Sequence, residues 1–160
     1  MRTDVQKRII PPDVYDYLKK AKDEADIEKL AEKIHFHEKP YLKLGKANIG
    51  KASEGKCEVT IGIERYVLFD LPVPEKDRDK LRELVKENFA VLIDYWAVDW
   101  NYDGTTFKSQ WQAIRGNGKK AKVVPTSVIE KLEAGRSYKV AVRVVDVFGN
   151  DATGNLVVET

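Results

Sequence analysis

Apolar positions early in the chain recur about once per helical turn. After Pro11 and Pro12, Asp13 is placed to accept a hydrogen bond from a free N–H of the next turn, and Val14, Leu18, Ala21 and Ala25 follow on one face. The stripe continues through Ile27, Leu30, Ala31 and Ile34, while Asp26 is equally placed to cap a second helix, so one bent helix and two helices both fit. Residues 35–40 end it. Between 41 and 56, Gly45, Gly50 and Gly55 stand among lysines and predict a turn-rich hairpin or loop. Val59, Ile61 and Ile63 then alternate with Thr60 and Gly62, and a second apolar run covers 66–71, which reads as two strands stopped by Pro72 and Pro74. Over 75–89, Leu81, Leu84, Val85 and Phe89 share one helical face. Asp79 with Arg82 and Glu83 with Lys86 put opposite charges on the other, the pattern of a surface helix.

Beyond residue 90 the period changes to two. Residues 91–102 are apolar on both faces, with Tyr95, Trp96, Val98 and Trp100, as a central covered strand requires. Turn chemistry follows at Asn101 to Gly104, a second strand over 107–115 holds Trp111, and Gly116-Asn117-Gly118 turns again. Over 138–147, Tyr138, Val140, Val142 and Val144 share one face and Lys139, Ala141 and Arg143 the other; Gly149-Asn150 then turns the chain into Leu156 to Val158. Short strands separated by Gly and Asn turns predict an antiparallel sandwich. The expected fold is therefore α+β: N-terminal helices and a small β element over 1–89, then an immunoglobulin-like β-sandwich over 90–160.

Charge and cysteine narrow the partners. The 28 Lys+Arg nearly balance 26 Asp+Glu, so the net charge of +2 gives no global attraction to phosphates and any nucleic-acid contact must be local. The single Cys57 cannot form an internal disulfide, and the sequence has no export signal or membrane-length apolar run, which predicts a cytoplasmic protein without a membrane partner.

Several motifs approach known chemistry and stop short. GKANIGKA (45–52) and GKASEGKC (50–57) resemble phosphate-binding loops, yet Ala52 and Cys57 stand where a magnesium-binding hydroxyl is needed, and strand pattern follows Lys56. Asp99, Asn101, Asp103 and Gly104 match the first half of a calcium loop; position twelve is Gln110, without a bidentate carboxylate, and a polar turn explains the residues better. His35 and His37 alternate without further ligands at zinc spacing. No nucleophile–base order or acid/base pair stands out, so no catalytic, metal or cofactor residue is assigned. Trp96, Trp100 and Trp111 with Tyr95, Tyr102 and Phe107 form an aromatic concentration that invites base stacking, although alternation buries at least one tryptophan in a sandwich.

LIDYWAVDWNYDG (92–104), Phe107, Trp111-Gln112 to Arg115 and KVAVRVVDVFGN (139–150) resemble, in type and order, the C-terminal end of large adenine-specific DNA methyltransferases related to type III modification subunits. Residues 9–36 and 66–71 are similar to what precedes that end. Trp100 to Gly104 with the 138–146 strand is also similar to polycystic-kidney-disease-type and other immunoglobulin-like domains. The methyltransferase family grips a flipped adenine with an Asp/Asn-Pro-Pro-aromatic loop and binds S-adenosylmethionine at a Phe-x-Gly-x-Gly turn. Neither motif occurs here; the sole Pro-Pro lies in IPPD (10–13). The resemblance thus implies a non-catalytic, cofactor-free module of a restriction-modification methyltransferase that engages DNA or the catalytic part. Trp100, Tyr102, Trp111, Gln112, Arg115, Lys119 and Lys120 are its candidate interaction surface. The rivals are a purely structural or oligomerising sandwich without ligand, and a calcium-binding sandwich.

Overall fold

A computed structural model describes residues 39–160. The helices expected between Asp13 and Ile34, and the His35/His37 pair, lie outside the described residues.

Strict alternation builds the first sheet. In β3 (Lys56–Val67) Cys57, Val59, Ile61 and Ile63 are buried between more exposed neighbours. After Ile63 the phase slips: Glu64 and Arg65 are both exposed and Tyr66 is buried. The ladder with β1 (Tyr41–Leu44) slips at the same place, Lys43 facing Arg65 and Leu44 facing Ile63, so Glu64 is the extra residue of a β-bulge. That bulge is why one 12-residue strand stands where two were expected.

The glycine-rich stretch is a hairpin. β2 (Asn48–Ile49) pairs with Thr60 and Val59, and the Gly45 and Gly50 N–H groups donate to Gly62 O and Glu58 O, so β1 and β2 line β3 in succession. The turn into β3 takes both central residues to positive φ, Glu54 at 53° and Gly55 at 76°, where only glycine is at ease. These bonds occupy the near-phosphate-loop segment, and strand rather than helix follows it.

β3's other edge is covered by β6 (Ser127–Glu133), paired from Lys56↔Glu133 to Gly62↔Ser127. A Cβ at position 62 would stand 2.9 Å from Thr126 O, so this approach needs glycine.

The helix α1 (Glu75–Glu87) connects the first sheet to the second. Leu81 and Val85 are half-buried and Leu84 exposed, as expected of a surface helix. Its Arg82–Asp79 and Lys86–Glu83 pairs, at 3.5 and 2.8 Å, are solvent-facing and contribute little. A 3₁₀ turn (Phe89–Leu92) leads into the second sheet, ordered β5–β4–β7–β8, with β4 (Ile93–Asp99), β5 (Trp111–Ile114), β7 (Ser137–Asp146) and β8 (Asp151–Glu159). β4 is central, as its two-sided apolarity predicts, and Val140, Val142 and Val144 point inward from β7.

One core joins the inner faces: Val59, Ile61, Ile63 and Tyr66 from the first sheet, and Trp96, Val98 and the β7 valines from the second. The described residues are thus mostly antiparallel sheet with one α-helix, an α+β, sandwich-like arrangement. The expected division at residue 89/90 does not match it. β3 precedes that point and β6 follows it, their pairing closes the first sheet, and residues 39–160 form one compact unit. Among the described residues, no helix is long and apolar enough to cross a membrane.

Candidate binding surface

The β4–β5 loop is held by two carboxylates. Asp99, buried at the end of β4, accepts the N–H groups of Asn101 at 3.0 Å and Lys108 at 2.8 Å. Asp103 Oδ1 accepts Thr105 N–H, Thr105 Oγ1–H and Thr106 N–H at 2.8, 2.9 and 2.8 Å. Three of the carboxylate oxygens that would serve a cation are thus engaged by loop donors, the arrangement of a braced polar turn. Among the described residues, no three His, Cys, Asp or Glu side chains converge as metal ligands.

The Thr106 and Thr105 N–H groups, followed by the Thr105 hydroxyl, lower the Asp103 carboxyl from its ordinary 3.8 to about 2. Because the folded value lies below the unfolded one, this contribution to stability is complete above pH 4 and is lost as pH falls through about 2. Carbon-13 carboxyl shifts followed against pH should place the Asp103 midpoint near 2; a midpoint near 4 would mean that these donors are not engaged.

The tryptophans of the expected surface face inward. Trp100 is buried in the core. Trp111 pairs with Val98 across β4 and β5, so it shares that residue's inner face, where it meets Trp96 edge-on with ring centroids 4.6 Å apart. Arg115 also has another role. Its guanidinium donates to the carbonyls of Ile93 and Val91, and its backbone N–H to Asp94 O, so it clamps the end of β5 to the start of β4. This clamp geometry gives Arg115 a structural role. Tyr102 is half-buried: its N–H donates to Lys139 O, and Lys139 Nζ lies 5.7 Å from its ring centroid.

Gln112, Lys119 and Lys120 are exposed. Gln112 lies on the outer face of the second sheet, beside Tyr95 and Phe107 of the same aromatic concentration and beside Ile114 and Arg143. Tyr95, Phe107, Gln112, Ile114 and Arg143 line an open groove of about 380 Å³ over the small Ala97. The signal was present in β4, where Tyr95 and Ala97 alternate with inward Trp96 and Val98. Arg143 and Phe107 reach the groove from elsewhere in the chain. Ile114 is 61% exposed, and the Arg143 contact to Asp151 spans 3.5 Å, leaving an apolar surface beside a weakly paired guanidinium.

At the end of β5, Lys119 and Lys120 occupy a 3₁₀ turn (Gly118–Lys120), and Lys122 N–H donates back to Arg115 O. These three lysines are exposed and form no ion pair among the described residues. A larger groove of about 670 Å³ lies between α1 and the β1–β3 pair. Most of its rim charges are matched already, Lys43 by Glu64 at 2.6 Å and Lys86 by Glu83 at 2.8 Å.

No family model, curated protein or solved structure matches this chain.

Proposed function

We propose that this chain is a non-catalytic, immunoglobulin-like binding module of a cytoplasmic DNA methyltransferase system, and that it engages DNA through the outer face of the second sheet. The immunoglobulin-like assignment draws support from the strand order. β3 and β6 pair in one sheet, β4–β5 and β7–β8 form hairpins in the other, and the chain passes between sheets after β3, β5 and β6. The methyltransferase parentage draws on the sequence resemblance alone, carried by 92–104, Phe107, Trp111-Gln112 to Arg115 and 139–150.

The groove carries the DNA reading, with the lysine turn that follows β5. Tyr95 and Phe107 offer aromatic surface to an unstacked base, Gln112 both donates and accepts hydrogen bonds, and Arg143 meets a phosphate or base face. Lys119, Lys120 and Lys122 add positive charge in the segment that follows β5. A chain with a net charge of only +2 needs such a local concentration to hold a polyanion.

Anisotropy titration of labelled single-stranded DNA at low salt tests this. The triple variant Lys119→Glu, Lys120→Glu, Lys122→Glu should weaken binding at least about tenfold and reduce the salt-dependence slope by about 2. Tyr95→Ala should cost about 1–3 kcal/mol of binding where a base stacks on it. Absence of binding at low salt removes the reading. The oligomerising alternative draws on a different surface, the edge of β8 that no other strand pairs with among the described residues.

A further inference from the structure

The two sheets leave β1–β2, β6, β5 and β8 as their edges, unequally guarded. β1–β2 is interrupted, β6 carries Lys131 at its centre, and β5 has only four residues. β8 differs. Its nine residues pair with β7 without a register shift and include no Lys, Arg or Pro, the devices that usually discourage another strand from pairing.

Backbone alternation identifies β8's free groups. Asp146 N–H donates to Asn150 O and Thr160 N–H to Arg136 O, so the even-numbered positions from 150 to 160 turn toward β7. Asp151, Thr153, Asn155, Val157 and Glu159 turn their N–H and C=O groups outward, and all five are exposed. Val157 is 65% exposed, the largest value among the exposed large apolar residues.

At Gly154 the Leu44 side chain approaches to 3.0 Å of where a Cβ would stand, so β1 packs on the inner face of the first half of β8. Past Gly154 a groove of about 570 Å³ opens, with Leu44, Ala47, Ile49, Leu156 and Val158 in its walls.

We propose that the half of this edge past Gly154 pairs antiparallel with β8 of a second copy, about a two-fold axis at Val157, giving one sheet continuous through both copies. In this register Val157 meets Val157 of the second copy, and Asn155 meets Glu159 of the second copy, where the carboxamide donates to the carboxylate. The opposed pairs exchange backbone N–H···O bonds. On the groove side Leu156 faces Val158 of the second copy, which covers apolar surface. Moving the axis to Asn155 would set Asp151 against Glu159. Charge therefore favours the axis at Val157 over the axis at Asn155. The surface is isologous, as a closed dimer requires, and does not depend on the DNA-binding reading.

Sedimentation of the full chain from about 10 µM to about 1 mM, with amide hydrogen exchange over the same range, tests the pairing. The expected result is a reversible dimer whose Asn155, Val157 and Glu159 amides slow at least about tenfold with concentration, while Thr153 does not change. Val157→Lys sets two ammonium groups at the axis and Asn155→Asp sets a carboxylate against Glu159. Each should weaken dimerisation at least about tenfold while leaving the β7-facing amides protected. A monomer at the highest concentration would overturn the proposal, as would a dimer indifferent to both substitutions.

Discussion

Replacing Trp96 with Ala is expected to remove about 3–5 kcal/mol of folding stability, the usual cost of deleting a large buried aromatic side chain. Trp96 is fully buried on the central strand β4, meets Trp111 edge-on, and donates from Nε1 to Pro125 O at 2.7 Å, tying the segment before β6 to the core. At the low end of a typical total of about 5–15 kcal/mol, that loss can leave up to about half of the molecules unfolded. Trp96→Phe and Trp100→Phe separate packing from hydrogen bonding. The first removes a made bond and strands the Pro125 carbonyl; the second removes an indole N–H that has no partner among the described residues. Urea unfolding should therefore show Trp96→Phe to be the more destabilising of the two by about 1 kcal/mol or more. Equal costs would mean that the Pro125 bond contributes nothing net.

The contrast between those tryptophans also shows where sequence reading ends. Period-two alternation places Trp96, Val98 and Trp100 on one face of a strand, and β4 and β7 were legible for that reason, as α1 was from its helical stripe. Alternation does not say which strand lies opposite. Trp111 faces inward because it pairs with Val98, a register set by partners outside its local window. Arg115 looks free in sequence because the carbonyls it clamps lie 22 and 24 residues away. β6 escaped notice because exposed Ile129 and half-buried Glu130 blur its pattern around inward Val128 and Leu132. At Glu64 a bulge imitates a break between strands. Of the candidate surface, Gln112 and the lysines could be read locally, whereas the groove around Gln112 needed β4, β5, β7 and the intervening loop brought together.

The side-chain hydrogen bond most remote in sequence among the described residues supports the second large prediction. Tyr66 and Asp146, 80 residues apart, meet in the buried interior, the hydroxyl donating to Asp146 Oδ2 at 2.8 Å. Asp146 Oδ1 accepts the N–H groups of Phe148 and Asn150 at 2.9 and 3.0 Å, so one carboxylate joins the sheets and shapes the β7–β8 turn. Burial, reinforced by the bond to Asp146, raises the Tyr66 hydroxyl well above its ordinary value of 10.0. Tyr66→Phe should cost about 1.5–3 kcal/mol at neutral pH by leaving a buried carboxylate oxygen unmatched, and Asp146→Ala about 3–5 kcal/mol by releasing the turn as well. Alkaline pH adds a second signature. The folded hydroxyl keeps its proton when the unfolded one loses it, so the stability it confers is complete below pH 10 and declines as pH rises above that value. Wild type should therefore lose stability more steeply above about pH 10 than Tyr66→Phe, which has no hydroxyl to titrate. Chemical denaturation at neutral and alkaline pH, with both single variants and the double variant, reads the pair directly. Additive single costs together with parallel alkaline slopes would show that the two side chains do not support each other across the core.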